Sequence, residues 1–336
     1  MKSFFKLWLV VLALLLPGRA QESLPDPSTF GRSDSLAIFV VRARSEDSGF
    51  RQMLATAVNG AQAQKGAPSL ASFLSSFLSL RSQEEMLLAA LPLQWVRVDS
   101  VGPDGRLLSN VAITLAGWRG FQTLIYNALT AGPEGKPYEK RLHQGEEIVL
   151  RDGWQSPGAR LVLARVNGTF LNCSTPDQAR YQIDRLLGKD QSPLQGPLWH
   201  AYSQLAQDKD AFGVILNRSG SLLKVLEWVN RADTQRVREK LGSERFERAA
   251  ELVESASWEA DVVSDDRIDI EVRFSTAGRP QAEELALLLE EAREVLDQEG
   301  RMGDFYLTMT PEGVKIGFAM VGFHDLVSRY LGTVRI

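Results

Sequence analysis

The chain has 336 residues, 44% of them apolar, and a formal charge of −4. That length is enough for two ordinary domains, and the apolar share gives a globular protein a full core and excludes an intrinsically disordered chain. The mild acidity, with Lys and Arg interleaved among Glu and Asp as in residues 231–248, argues against nucleic acid as a partner.

Lys2 and Lys6 precede an unbroken apolar run over residues 7–16. That is the length of a secretory h-region and too short to span a bilayer. Pro17 breaks the run, and Gly18-Arg19-Ala20 sets small residues before a cut. Cleavage is therefore expected between Ala20 and Gln21. Loss of Lys2, Lys6 and Arg19 takes the formal charge from −4 to −7. The expected location is periplasmic or extracellular, with no membrane span left after cleavage. The chain has one cysteine, Cys173, so no internal disulfide can form, and the fold must rest on its core.

Residues 21–33, polar and Pro-rich, read as an extended arm. Residues 36–41 are a continuous apolar, β-branched run, the pattern of a strand buried on both faces. Short helices are expected over 50–58 and 69–91, the second with Leu70, Phe73, Leu74, Phe77 and Leu78 at helical spacing. A strand over 93–100, the turn Gly102-Pro103-Asp104-Gly105, and a return strand with Val111, Ile113 and Leu115 make a hairpin. Trp118, Phe121, Leu124, Ile125, Ala128 and Leu129 then mark an amphipathic helix.

Residues 131–158 break this pattern, being rich in Gly, Pro and charge, with a short strand expected at 148–150. A second hairpin follows through Asn167-Gly168. After it, Thr175, Pro176 and Gln178 form a helix start and Leu187-Gly188 a stop. Residues 189–210 read as a linker. Residues 211–216 resemble 36–41 in pattern, and helices over 222–229, 234–241 and 244–253 come next. Ile268, Ile270, Val272 and Phe274 alternate with Asp269, Glu271 and Arg273, a strand with one buried and one wet face. Leu285, Leu288, Leu289, Ala292 and Leu296 form one helical stripe, and a last hairpin, 305–309 and 314–320, precedes a helix over 323–331.

The succession strand, helices, hairpin, helix, hairpin, helix is met twice. Ala37 and Ala211, Trp95 and Trp258, and Arg185-Leu-Leu-Gly188 and Arg329-Tyr-Leu-Gly332 serve as anchors. The expected fold class is α+β: two tandem copies of a mainly antiparallel sheet module with helices packed on it, over 34–188 and 211–336.

No catalytic, cofactor or metal motif stands out. His143, His200 and His324 lack metal-ligand spacing, and there is no Gly-x-Ser-x-Gly elbow and no phosphate loop. Asp261, Asp265, Asp266 and Asp269 are the densest acidic group, read as hairpin-turn chemistry. The leading expectation is an exported, non-enzymatic binding or interaction protein of a bacterial cell envelope, its partner an unknown protein or a small hydrophobic ligand. The alternatives are a carrier of a hydrophobic ligand such as a lipid, and a secreted hydrolase whose site assembles only in space. The insert 131–158 is the expected contact region, since loops on rigid scaffolds carry function disproportionately. Its Tyr138, Lys140, Arg141, His143 and Trp154 suit polar and stacking contacts.

Overall fold

The computed structural model describes residues 24–43, 92–102, 105, 107–115, 122–123, 126–127, 130, 138–152, 160–218, 220–224, 231–264, 266–297 and 302–322. Ala20, Gln21 and Trp154 lie outside them, as do the helices expected over 50–58, 69–91 and 323–331 and most of that over 118–129.

The described residues form strands β1 (Ser35–Ala43), β2 (Leu93–Val101), β3 (Leu107–Leu115), β4 (Glu139–His143), β5 (Glu146–Asp152), β6 (Arg160–Val166), β7 (Thr169–Cys173), β8 (Ala211–Leu216), β9 (Val253–Val262), β10 (Arg267–Thr276), β11 (Met302–Thr310) and β12 (Gly313–Val321). They form helices α1 (Pro176–Leu186), α2 (Pro197–Ser203), α3 (Arg231–Leu241), α4 (Ser243–Leu252) and α5 (Arg279–Leu296).

The expected pair of modules, each an α+β unit with its own sheet, is corrected. The strands belong to one 12-stranded antiparallel sheet in the order β11-β12-β10-β9-β8-β1-β2-β3-β7-β6-β5-β4. The physical reason lies in the two apolar runs. A strand buried on both faces cannot leave one backbone edge unpaired, because buried N–H and C=O groups need partners. β1 and β8 each read correctly as central strands, but both are central to the same sheet.

By packing, the chain divides into two units. One holds the described residues up to Ser35, then Val40–Ala43 and those on to Leu194. The other holds Leu36–Phe39 and the described residues from Gln195 onward.

In the first unit β2 and β3 form the expected hairpin, and β3 then pairs with β7, the later strand of the β6–β7 hairpin. Helix α1 packs on β5, β6 and β7, burying Ala179, Gln182 and Ile183. It starts as the sequence predicts: Thr175 and Gln178 form a reciprocal capping box, with Pro176 in the first turn. The segment expected as an extended arm contains a 3-10 turn, Pro27–Phe30, capped by the Asp26 side chain. Gln94, Gln182, Tyr181 and Arg185 donate to the carbonyls of Pro25, Phe30, Gly31 and Thr29, and Phe30 is buried. On β2, Arg97 and Asp99 form an ion pair at 2.8 Å with side chains only 1% and 0% exposed. Arg97 also donates to Ser109 Oγ at 3.1 Å, and Ser109 lies opposite Asp99 in the hairpin register.

The segment 131–158 is not one long loop. It contains the hairpin β4–β5, closed by Gln144 and Gly145, both at positive φ, and β5 extends the sheet from β6. The sequence hides β4 because an edge strand need not bury either face. Glu139, Lys140, Arg141 and Leu142 are all exposed, so no apolar alternation marks them.

In the second unit β8, β9, β10, β12 and β11 are neighbours in that order, and β10 pairs with β12, the later strand of the last hairpin. One face carries α5, whose Ala282, Leu285, Ala286 and Leu288 pack with Ala256, Val253 and Val314. Phe39, Phe274, Leu307 and Ile316 border this core. Gly213 on β8 is needed for packing: a Cβ there would lie 2.6 Å from both the Ile38 carbonyl and Trp258 Nε1. Trp258 in turn stacks at a tilt against Phe39, with ring centroids 6.2 Å apart.

Candidate functional site

Because side chains alternate across a strand, the residues between the core positions of β10 fall on the opposite face. There Asp269 lies opposite Asp261 of β9 and Ala319 of β12. Glu271 lies opposite Glu259 and Gly317, and Arg273 opposite Ser257 and Lys315. Two consecutive carboxylate pairs thus face each other directly across β9 and β10. Like charges in that relation destabilise a sheet unless cations intervene.

The cations come from three places. Arg273 reaches Glu259 at 3.3 Å and Glu271 at 2.6 Å. Lys315 on β12 reaches Glu271 at 2.5 Å, and Lys209, just before β8, reaches Asp261 at 2.5 Å. Arg267 at the start of β10 holds Asp269 at 2.7 Å and Asp304 at 2.9 Å. Glu259, the most buried of the carboxylates, also accepts from the Ala206 amide at 2.8 Å. Tyr306 of β11 lies over Gly317, its ring occupying the space a Cβ would fill. Its hydroxyl donates to Glu271 at 3.1 Å, and Lys315 Nζ lies 5.9 Å from the ring centre.

Apart from Arg273 and Lys315, these charged groups and Tyr306 border a groove of about 340 Å³. Five carboxylates and two cations line it, a formal charge of −3. Burial by itself would raise the Glu271 carboxyl, but hydrogen bonds from Lys315 and Arg273 more than offset it and hold the group below the ordinary glutamate range. The hydrogen bond to Asp261 raises Lys209, and those to Asp269 and Asp304 raise Arg267. Tyr306 is raised by burial and by Glu271. A carboxylate kept ionised well below neutral pH is poorly placed to donate a proton there. The chemistry of this face is ion pairing, hydrogen bonding and cation–π contact.

The sequence-predicted contact residues are divided rather than gathered. Lys140 and Arg141 are neighbours on β4 and so point to opposite faces; His143 shares the Arg141 face. Lys140 pairs with Glu147 at 2.8 Å and Arg141 with Glu139 at 2.7 Å. Arg151 lies over the Tyr138 ring at 5.2 Å. His143 Nε2 is 2.9 Å from Asp184 of α1, beside the Lys189–Gln144 contact, and ties the hairpin to the helix. His200 is exposed on α2; its carbonyl accepts from Ser203 Oγ at 2.7 Å. Cys173 is buried, and desolvation pushes its thiol up to about 12, which leaves it inert as a nucleophile at neutral pH. Among the described residues no group of three or more His, Cys, Asp or Glu side chains is placed to hold a metal ion. Of the acidic group near the turn, Asp266 accepts from the Gly322 amide, while Asp261 and Asp269 belong to the charged face.

No family model matches the chain, and no curated protein or solved structure matches it.

The period of two places Asp269, Glu271 and Arg273 on a wet face but does not by itself pair them with Glu259 and Asp261. A usable signal was there. Once the turn at 264–266 is fixed, partners across the hairpin have residue numbers of constant sum, which sets Glu271 against Glu259 and Asp269 against Asp261.

Proposed function

We propose that the protein is an exported, non-enzymatic interaction protein of the cell envelope, and that it engages its partner through the charged face of β9, β10, β12 and β11. The observation that carries this reading is the doubled cross-strand pairing of carboxylates, Glu259 with Glu271 and Asp261 with Asp269, on the face of β10 opposite its core, where Asp261 and Asp269 are exposed. Sequences that violate a local rule of sheet stability do so mainly where function requires it. The supporting cations hold the carboxylates in fixed positions, the preorganisation that a recognition surface needs. The apolar positions that a lipid carrier would use to line a cavity pack instead against α5. Export rests on the apolar run at 7–16 and the small residues before Gln21.

The test compares wild-type protein with Asp269→Lys/Asp304→Lys in cross-linked capture from an envelope extract, with melting temperature as the folding control. Both residues are exposed, so the fold should persist while capture falls at least tenfold and becomes insensitive to salt. Equal capture by the folded double variant would rule out this face.

A further inference from the structure

We propose that the outer edge of β11 pairs antiparallel with β11 of a second copy of this chain, extending the second unit's sheet across a twofold axis at Thr308.

In the first unit, the outward succession of strands is β3, β7, β6, and β6 then pairs on its far edge with β5 over Ile148–Asp152. In the second unit the succession is β10, β12, β11, and among the described residues no strand pairs with the far edge of β11. The sheet's other terminal strand, β4, carries Glu139, Lys140 and Arg141, the charges by which proteins keep an edge from pairing. In β11 the one charge, Asp304, and the one irregularity lie together towards one end of the strand. Its ladder with β12 is irregular between Gly303 and Tyr306, where Asp304 has φ +51°, and regular from Tyr306 to Thr310. That regular stretch, Tyr-Leu-Thr-Met-Thr, holds no charge and no proline, and Tyr306 and Met309 are 44% and 38% exposed.

The stretch is self-complementary. Antiparallel pairing preserves the two faces of a sheet only if opposed residues have the same parity, so a twofold axis must pass through a residue. The centre of the regular stretch is Thr308. A dyad there sets Thr308 against Thr308, Tyr306 against Thr310 and Leu307 against Met309. Polar meets polar on one face and apolar meets apolar on the other, and Thr–Thr and aromatic–β-branched pairs are favourable cross-strand neighbours. At the rim Asp304 approaches Glu312 of the other copy, but Arg267 at 2.9 Å already offsets Asp304.

The experiment uses the full-length protein and four variants. Sedimentation should give twice the monomer mass for wild type and for Leu142→Lys, which alters the β4 edge, but the monomer mass for Met309→Lys. Thr308→Cys should cross-link to itself under mild oxidation, since the native Cys173 is buried, whereas Met309→Cys should not, because it faces Leu307. The cross-link decides the matter even if Met309→Lys folds poorly. A wild-type protein that stays monomeric and fails to cross-link through Cys at 308 would overturn the proposal. So would a dimer that Met309→Lys leaves intact, or one that Leu142→Lys dissociates.

Discussion

Glu259 and Glu271 stand directly opposite each other on β9 and β10, and a single guanidinium, that of Arg273, reaches both, at 3.3 Å and 2.6 Å. Arg273 therefore decides whether two like charges can coexist on one face. Arg273→Met should lower stability by about 1–2 kcal/mol: charged hydrogen bonds contribute more than this when buried, and Arg273 is half exposed. Adding Glu271→Gln should recover part of the loss, since it removes the repulsion. Urea denaturation of the two single variants and the double variant measures the coupling. Strictly additive effects would show that Arg273 does not bridge the pair.

The same cluster makes stability depend on acid. Burial raises the Glu271 carboxyl, but Lys315 and Arg273 lower it further, so its folded-state pKa lies below the unfolded value. A depressed carboxylate contributes stability that is present above the unfolded pKa, about 4.3, and is lost as pH falls through the folded one. Wild type and Glu271→Gln should differ most at neutral pH, and the gap should close as pH falls from the unfolded value through the lower folded one. Melting temperatures taken from pH 7 to pH 3 test this; a gap that widens on acidification contradicts it.

The Arg97–Asp99 pair on β2 is fully enclosed. Removing one partner strands the other charge, and such changes cost about 3–5 kcal/mol. Arg97→Met should destabilise by that order. Arg97→Met/Asp99→Leu should regain most of it, because an apolar pair of similar volume avoids desolvating two charges. Equal stability of the single and double variants would mean that the pair is not electrostatically coupled.

Gly213 leaves no room for a methyl group unless a neighbour shifts, with the Ile38 carbonyl and the Trp258 ring both 2.6 Å from a Cβ position. Gly213→Ala should cost about 1–3 kcal/mol, the range for overpacking a core. Tryptophan emission should shift as Trp258 moves away from Phe39. An unchanged spectrum and melting temperature would show the site to be more yielding than its geometry implies.

Some of this molecule was legible residue by residue. The alternation from Ile268 to Phe274 located the two faces of β10, and the Thr175-Pro176-Asp177-Gln178 signal located the start of α1 to the residue. Both are local patterns: one is set by the twofold period of a strand, the other by a cap that spans a few positions. The β4 strand was not legible, because an edge strand with two wet faces carries no periodic signal. Residues 138–143 are close in sequence, yet β4 sends alternate side chains to opposite faces.

What the sequence determined by itself is the set of strands with a buried face, the hairpin turns and the residues able to face water. What only the tertiary structure decided is which edges meet. Backbone hydrogen-bonding edges are chemically alike from strand to strand, so no side-chain pattern distinguishes two sheets of central strands from one sheet in which β1 and β8 are both central. The charged face follows the same logic. Lys209, Glu259, Glu271, Tyr306 and Lys315 come from five separate segments of the chain. They meet only because β10 takes β9 on one edge and β12 on the other, pairings that rest on burial and register across the sheet rather than on any local run of residues.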